Sequence, residues 1–520
     1  MTTAILRALA LNEVRLRLRR VSTLVTLLAV VGVSWLMIPD PHSGNALLKV
    51  AGARVLNTSA ALALGSASFA GLVFGLGGFF LVRGRMSEDI RSGCGGVIAT
   101  TTVGNGLFLF SRWLGGVAYL FALIVAFMGT ILVCHVLRGD GPIQLPVYLQ
   151  TYSLMLVPLV FFAVSMAILF DSFAPLLGKA GDVIFVVLWM AQMAIVPVVI
   201  RGGEGALPGI LVLDFSGMAA AQARLQSVLH TSNLNLGVSP YDARLPAVML
   251  PAAMWSSKVV LLRCGAAALA LLPLAPAGWL FHRFSPDRVK VSRARPRRSA
   301  LGLLNGWLQP LARLARPLFR LAGSVPGIWG QMVAEVALTL VAAPSAIVAA
   351  LVLLGASLLV KAAFLGPLLM GAVAFWGVLI SDVSTRDFAA ATEDLTGAVA
   401  GGSGQRYLRQ LGATALLGLL YTGVIALRWL WGDPIRASAL VVGVGALSAV
   451  AMLFGRCSGT ARTFLGLFLF GLFVAVNAPV PVIDAVGFNG VAHVQSVLTW
   501  AVIGVGAALA GFLWNRRQAG

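Results

Sequence analysis

The stretch LGGVAYLFALIVAFMGTILVCHVL, residues 114–137, contains no Asp, Glu, Lys or Arg. A helix of that length rises roughly 36 Å at about 1.5 Å per residue, enough to cross a hydrocarbon core of about 30 Å. Lipid offers backbone N–H and C=O groups no partner, so a segment placed there satisfies them internally as a helix. Eleven further windows read the same way: 21–39, 59–82, 150–171, 183–200, 258–281, 343–361, 364–381, 410–428, 437–455, 463–480 and 496–515. The sequence therefore predicts an all-α polytopic membrane protein of about twelve transmembrane helices.

Composition agrees. Apolar residues make up 59% of the 520-residue chain and charged residues 11%, with a mean hydropathy of +0.93. A soluble domain carries roughly a quarter charged residues, so a soluble globular class is excluded. The 58 glycines suit helices that pack through small residues. Cys94, Cys134, Cys264 and Cys457 form no CxxC pair, and His42, His135, His230, His282 and His493 are scattered. No disulfide framework, metal site or resident cofactor is expected. Nor is a cleavable leader, because the first apolar run continues into a full span.

Orientation follows from the loops. With the N-terminus in the cytoplasm, the inner segments hold 27 of the 38 Lys and Arg, and the inverted arrangement would contradict the positive-inside bias. Both termini are expected to be cytoplasmic. The chain also repeats itself. Asn12-Glu13-Val14 precedes the first span and Ala334-Glu335-Val336 the seventh; Arg112-Trp113-Leu114-Gly115 enters the third and Arg409-Gln410-Leu411-Gly412 the ninth. Six spans per half keep both repeats parallel. The expected organisation is a first half over 1–281, a connector over 282–323 and a second half over 324–520.

The connector is basic over 282–298, which fits an anchor beside anionic lipid. Its charge follows membrane topology, so no nucleic-acid partner is expected. Over 303–321 the leucines and Trp307 share one helical face, with Arg313, Arg316 and Arg320 opposite; this predicts an amphipathic helix in the interface, segmented at Pro310 and Pro317. The stretch 4–20, with Arg15 and Arg19, is its counterpart, although Arg17 and Arg20 interrupt its apolar side.

Two inner segments, after the second and eighth spans, are longer than helix connections need. The first runs from Arg83 through Glu88, Asp89, Arg91, Ser92 and Gly93 to Arg112. The second carries Asp382, Arg386, Asp387, Glu393 and Asp394. Matched insertions of mixed charge point to docking elements for a cytoplasmic partner. No GxxxxGK[ST] loop occurs, so the chain is not expected to be an enzyme by itself or to hydrolyse ATP unaided.

Glu88-Asp89-Ile90-Arg91-Ser92-Gly93 and the Arg112-Trp113-Leu114-Gly115 span entry resemble the membrane (permease) subunits of type 2 ABC exporters. The resemblance implies an interfacial elbow helix before each six-span unit, coupling helices after spans two and eight, and one translocation path between two halves. It also implies separate cytoplasmic ABC ATPase subunits, two of them, holding the ATP and magnesium. Accessory or periplasmic subunits and a bacterial inner (cytoplasmic) membrane belong to the same expectation. The second half departs from the pattern: Thr385-Arg386-Asp387 stands near the equivalent place without the Ser-Gly step. A charge-poor path suits a hydrophobic or amphipathic cargo.

Two other readings compete. A secondary transporter of the 6+6 major-facilitator type shares the span count and connector, but has a shorter second loop and tends to need mid-span ionisable groups. A membrane enzyme acting on lipid-linked substrate would need carboxylates or histidines converging at one interface. Within spans, Arg263 either snorkels outward with Lys258 or faces the pathway. Asp171 and Asp182 are expected to cap inner helix ends. The long outer loop 201–257 is expected to hold a helix over Met218–Leu229, as a gate or a passive cap.

Overall fold

The computed structural model describes residues 2–19, 21–40, 44–202, 209–231, 233–252, 255–281, 300–390, 392–398, 401–478 and 480–518. The basic connector expected over 282–298 lies outside the described residues. The chain forms two compact units, Met1–Pro296 and Arg297–Gly520.

The first unit opens with α1 (Thr2–Leu18) and α2 (Val21–Met37), which meet at 71°. Strands β1 (Asn45–Val50) and β2 (Ala53–Arg54) lead to α3 (Ser59–Val82), the short α4 (Arg85–Arg91) and α5 (Cys94–Thr100), and the long α6 (Asn105–Arg138) and α7 (Leu145–Ser172). Then come α8 (Lys179–Met193), α9 (Ile195–Gly202), α10 (Met218–Leu229), β3 (Leu234–Pro240), α11 (Ser257–Leu269) and α12 (Leu274–Leu280). The second unit contains α13 (Ala300–Trp307), a tight 3-10 segment Gln309–Ala315, α14 (Arg316–Ser324), α15 (Gly327–Ala342) and α16 (Pro344–Leu359). It continues with α17 (Leu365–Ile380), the short α18 (Arg386–Ala389) and α19 (Glu393–Gly397), then α20 (Gly402–Leu430), α21 (Pro434–Ser458), α22 (Ala461–Asn477) and α23 (Val494–Gln518).

Every expected apolar window falls on a helix. Among the described residues, nine helical segments are long and apolar enough to cross a membrane, and eleven if the bent pairs α1–α2 and α15–α16 each count as one span. The protein is a helical, multi-pass membrane protein, and its count is nine to eleven where the sequence predicts twelve. The shortfall has physical causes. At 17 residues, α22 rises only about 25 Å. Pro344 starts α16 and breaks the ladder behind it, leaving α15 and α16 bent by 104°.

Surface and interior fit a lipid solvent. Leu498, Val502, Val505, Leu509 and Leu513 leave one face of α23 exposed and wholly apolar, a liability in water and a match for hydrocarbon. Inside the first unit, Phe79 stacks on Phe185 with ring centroids 3.6 Å apart. Inside the second, buried Trp376 donates its indole N–H to the Thr414 carbonyl at 3.0 Å. Buried hydroxyls return to their own helices: Ser34 to Val30 O at 2.6 Å, Ser68 to Leu64 O at 2.8 Å and Thr422 to Gly418 O at 2.8 Å.

One element is not helical. The connection between α2 and α3 forms a three-stranded antiparallel sheet, ordered β2-β1-β3, with a strand contributed from the long loop before α11. Ala51 and Gly52 turn β1 into β2 with positive φ (48° and 90°), as a tight hairpin requires. Leu47 reaches Gly65 of α3, where any Cβ would come 2.7 Å from it. The helix α10 forms at the limits expected for it.

The repeated sequence motifs occupy similar places. In the first unit α1 packs on α6 at Gly115, whose missing side chain leaves room for Glu13. In the second α15 packs on α20 at Gly412, which accommodates Met332. Elsewhere the packing differs. The most extensive helix pairing is α3 with α7 in the first unit and α21 with α23 in the second.

Candidate functional site

The candidate site is the pair of connections after α3 and after α17. The first begins at Arg83, just past the end of α3. Its guanidinium is completely buried, 2.5 Å from the Asp182 carboxylate and 3.7 Å from that of Asp171. It lies between the rings of Phe79 and Phe170, at 5.0 and 5.4 Å, and donates to the Leu176 carbonyl. Gly84 follows with φ of +93° and donates its N–H to Asp171 at 2.8 Å. Asp171 and Asp182 thus do more than cap helices. They hold Arg83, a partner the sequence reading does not single out, and fasten the start of the connection to α7 and α8.

The next turn is fastened to α1. Arg85 donates to Glu88 at 2.7 Å and lies 3.4 Å from Glu13. Glu13 accepts from Arg17 at 3.0 Å, and Arg17 donates to the Leu81 and Val82 carbonyls at 3.2 Å each. Arg17, read from sequence as a fault in an apolar face, instead satisfies orphan carbonyls at the C-terminus of α3. Burial opposes the charge on Arg85, but Glu13, Glu88 and Asp89 outweigh it and raise its pKa above the ordinary arginine value. Asp89 is buried and paired with Arg112 of α6, whose guanidinium lies 4.5 Å over the Phe108 ring. Trp113 donates to Ser165 at 3.1 Å and ties α6 to α7.

The acidic pair of the first connection is already partnered within the chain. Asp89 faces inward as a brace to Arg112, and Glu88 is half-buried against Arg85. Exposed residues of the connection include Ser92, Gly93, Cys94, Gly96 and Val97, and further on Thr100, Thr101 and Thr102. Gly93, with φ of +76°, makes the turn between α4 and α5. The side chain of Arg91 lies outside the described residues.

The second connection is built from different pairs. Arg386 lies 3.2 Å from Asp382 and donates to the Thr339 hydroxyl of α15 at 2.8 Å. Arg409 lies 3.4 Å from Glu335 on the same helix. Asp387 accepts from Thr396 and Gln410, each at 3.3 Å. Glu393 receives Arg456 at 2.6 Å and Arg406 at 3.2 Å, and Arg456 donates onward to Gln410 at 2.9 Å. Asn515 of α23 closes the chain, donating to the Ser403 carbonyl at 2.6 Å and accepting from Arg406 at 3.5 Å. The side chain of Asp394 lies outside the described residues. Phe388 and Leu395 stand exposed, at 46% and 73%.

Sequence reasoning passed over Arg456 and Asn515, and took Gln410 only as part of a repeated span entry. Arg456 carried a signal: an arginine at the end of an apolar run demands a partner. The other two look like ordinary helix surface until the fold brings them together.

Arg263 neither snorkels nor opens onto a path. It is 1% exposed and donates to the carbonyls of Leu154 at 2.8 Å, Met155 at 3.3 Å, Phe215 at 2.9 Å and Asp214. It pins α11 to α7 and to the loop before α10. Arg15, Arg19, Trp307, Arg313, Arg316 and Arg320, expected from sequence to lie on interfacial helices, are exposed. Among the described residues, no group of three His, Cys, Asp or Glu lies close enough to hold a metal ion.

No family model, curated protein or solved structure matches this chain.

Proposed function

We propose that this chain is the transmembrane permease subunit of an ATP-driven ABC exporter. It couples to two separate cytoplasmic ATPase subunits and moves a hydrophobic or amphipathic substrate outward. The observation that carries the reading is the design shared by two distant connections. Each leaves a long apolar helix, forms two short helices, and enters the next long helix after a glycine, Gly104 or Gly401. Each is also tied by an arginine to an earlier helix of its own unit, Arg85 to Glu13 of α1 and Arg386 to Thr339 of α15. A connection with no partner needs no such bracing, whereas one that passes force from an ATPase to the membrane helices does.

In this mechanism the exposed tips receive the ATPase: Ser92–Val97 in the first unit, Phe388 and Leu395 in the second. The buried pairs beneath them carry the motion. Asp89–Arg112 passes it to α6, Arg83–Asp171–Asp182 to α7 and α8, and Glu393–Arg456–Gln410 to α20 and α21. Nucleotide does work only through differential stabilisation of the two states, and rigid tips transmit that difference without loss. ATP and magnesium are held by the partner. Both termini and both connections lie on the cytoplasmic side of a bacterial inner membrane in this reading.

Purification in mild detergent from the native host, with mass spectrometry of the companions, tests the proposal. An ATPase bearing a nucleotide loop, at two copies per chain, is the expected result. An active preparation without an ATPase would instead assign the chain to secondary transport.

A further inference from the structure

The segment from α13 to the start of α15 leaves large apolar side chains in the open. Trp307, Leu314, Phe319, Leu321 and Trp329 are all exposed. Arg313, Arg316 and Arg320 are exposed among them, with no carboxylate paired to any of the three among the described residues. Between α14 and α15 lies an open groove of about 300 Å3, bordered by Phe319, Gly323, Gly330 and Gln331. The start of α15 packs closely on the end of α14 here, since a Cβ at Gly330 would come 2.1 Å from the Val325 carbonyl. At 100° per residue Arg316 lies about 20° around α14 from Gly323, and Arg320 about 60°. Neither arginine lines the groove itself; both lie on the Gly323 side of α14, next to the residues that border it.

An apolar trough with exposed cations on the neighbouring face of the same helix is complementary to one kind of occupant, an amphiphile with an anionic head. Exposed tryptophans belong at the membrane–water boundary, so the amphiphile is already there as bilayer lipid. We propose that the α14–α15 groove seats one anionic phospholipid, with an acyl chain along Phe319 and Gly323 and its phosphate at Arg316 and Arg320. The site is independent of whether an ATPase pairs with the chain.

Delipidated full-length protein in detergent, titrated with dioleoylphosphatidylglycerol or dioleoylphosphatidylcholine and read by native mass spectrometry, tests this. The expected result is one phosphatidylglycerol bound at least about tenfold tighter than the first phosphatidylcholine. Arg316→Gln with Arg320→Gln lowers phosphatidylglycerol affinity by about thirty-fold and leaves phosphatidylcholine unchanged. Gly323→Leu fills the trough and weakens both lipids. A Cβ there meets nothing within 4 Å, so this variant folds and decides the matter if the arginine variant does not. Neutralising Arg516 and Arg517 at the C-terminal end of α23 removes the same charge and leaves lipid binding intact. Equal affinity for the two lipids, unchanged binding in either groove variant, or equal loss in the Arg516 and Arg517 control would overturn the proposal.

Discussion

Asp89 shows how a charge in this chain acquires its meaning from its partner. The sequence pattern marks it as a docking charge, and the fold turns it onto Arg112 in a site both side chains leave only 9% exposed. Removing one member of a buried pair strands the other, at a cost of about 3–5 kcal/mol. Asp89→Lys is therefore expected to lower the melting temperature in detergent, and the swap Asp89→Arg with Arg112→Asp to restore part of it. Val97→Asp, on the exposed tip, is expected to leave melting unchanged while reducing ATPase retention on affinity purification. If Asp89→Lys melts like the parent, the brace assignment fails. The same logic makes Arg83→Met costly, by a similar amount, since it leaves Asp171 and Asp182 buried without their cation. Limited proteolysis between α3 and α6 reads that loss, with cleavage expected to appear in the variant alone. The sequence marks which residues are charged, but not that Arg83 meets Asp182 or that Arg456 meets Glu393. Those pairs join different helices, and no local spacing encodes them.

Helices were legible because each needs about twenty apolar residues and nothing else. The sheet was not. Its first strand is short, its hairpin partner is two residues long, and the third strand lies beyond eight helices, so no local alternation announces it. Contacts between elements were legible where a glycine sat at a repeated motif. At Gly115 an added methyl would press on Cβ and Cγ of Glu13, at 2.8 and 2.7 Å, atoms close to the α1 backbone. At Gly412 it would meet the terminal atoms of Met332, a side chain that can rotate away. Gly115→Ala is thus expected to destabilise by about 1–3 kcal/mol and Gly412→Ala by less. Paired melting curves check the order, and an equal or reversed order would show that α1 yields as easily as a methionine.

Across the whole chain, the two connections are alike in plan and unlike in construction. The first is braced by three small ionic clusters, Arg83 with Asp171 and Asp182, Arg17–Glu13–Arg85–Glu88, and Asp89–Arg112, and the second by one continuous polar chain running from Asp387 through Gln410, Arg456, Glu393 and Arg406 to Asn515. Such a chain behaves as a unit. Under the exporter reading, Glu393→Gln is expected to leave the ATPase bound and hydrolysing while transport in vesicles falls at least about tenfold, since two arginines lose their shared carboxylate at once. Transport at the parental rate would remove the second connection from the mechanism. The hairpin of β1 and β2, finally, sets a clock on biogenesis. Lys49 bonds to Pro240, 191 residues further along, so at about 5–20 residues per second a ribosome needs roughly 10–40 s to supply the strand that completes the sheet. During that interval the edge of β1 is open. A ribosome-stalled chain ending before β3 is expected to be cut by added protease near Leu47, and one stalled after α11 to be protected there.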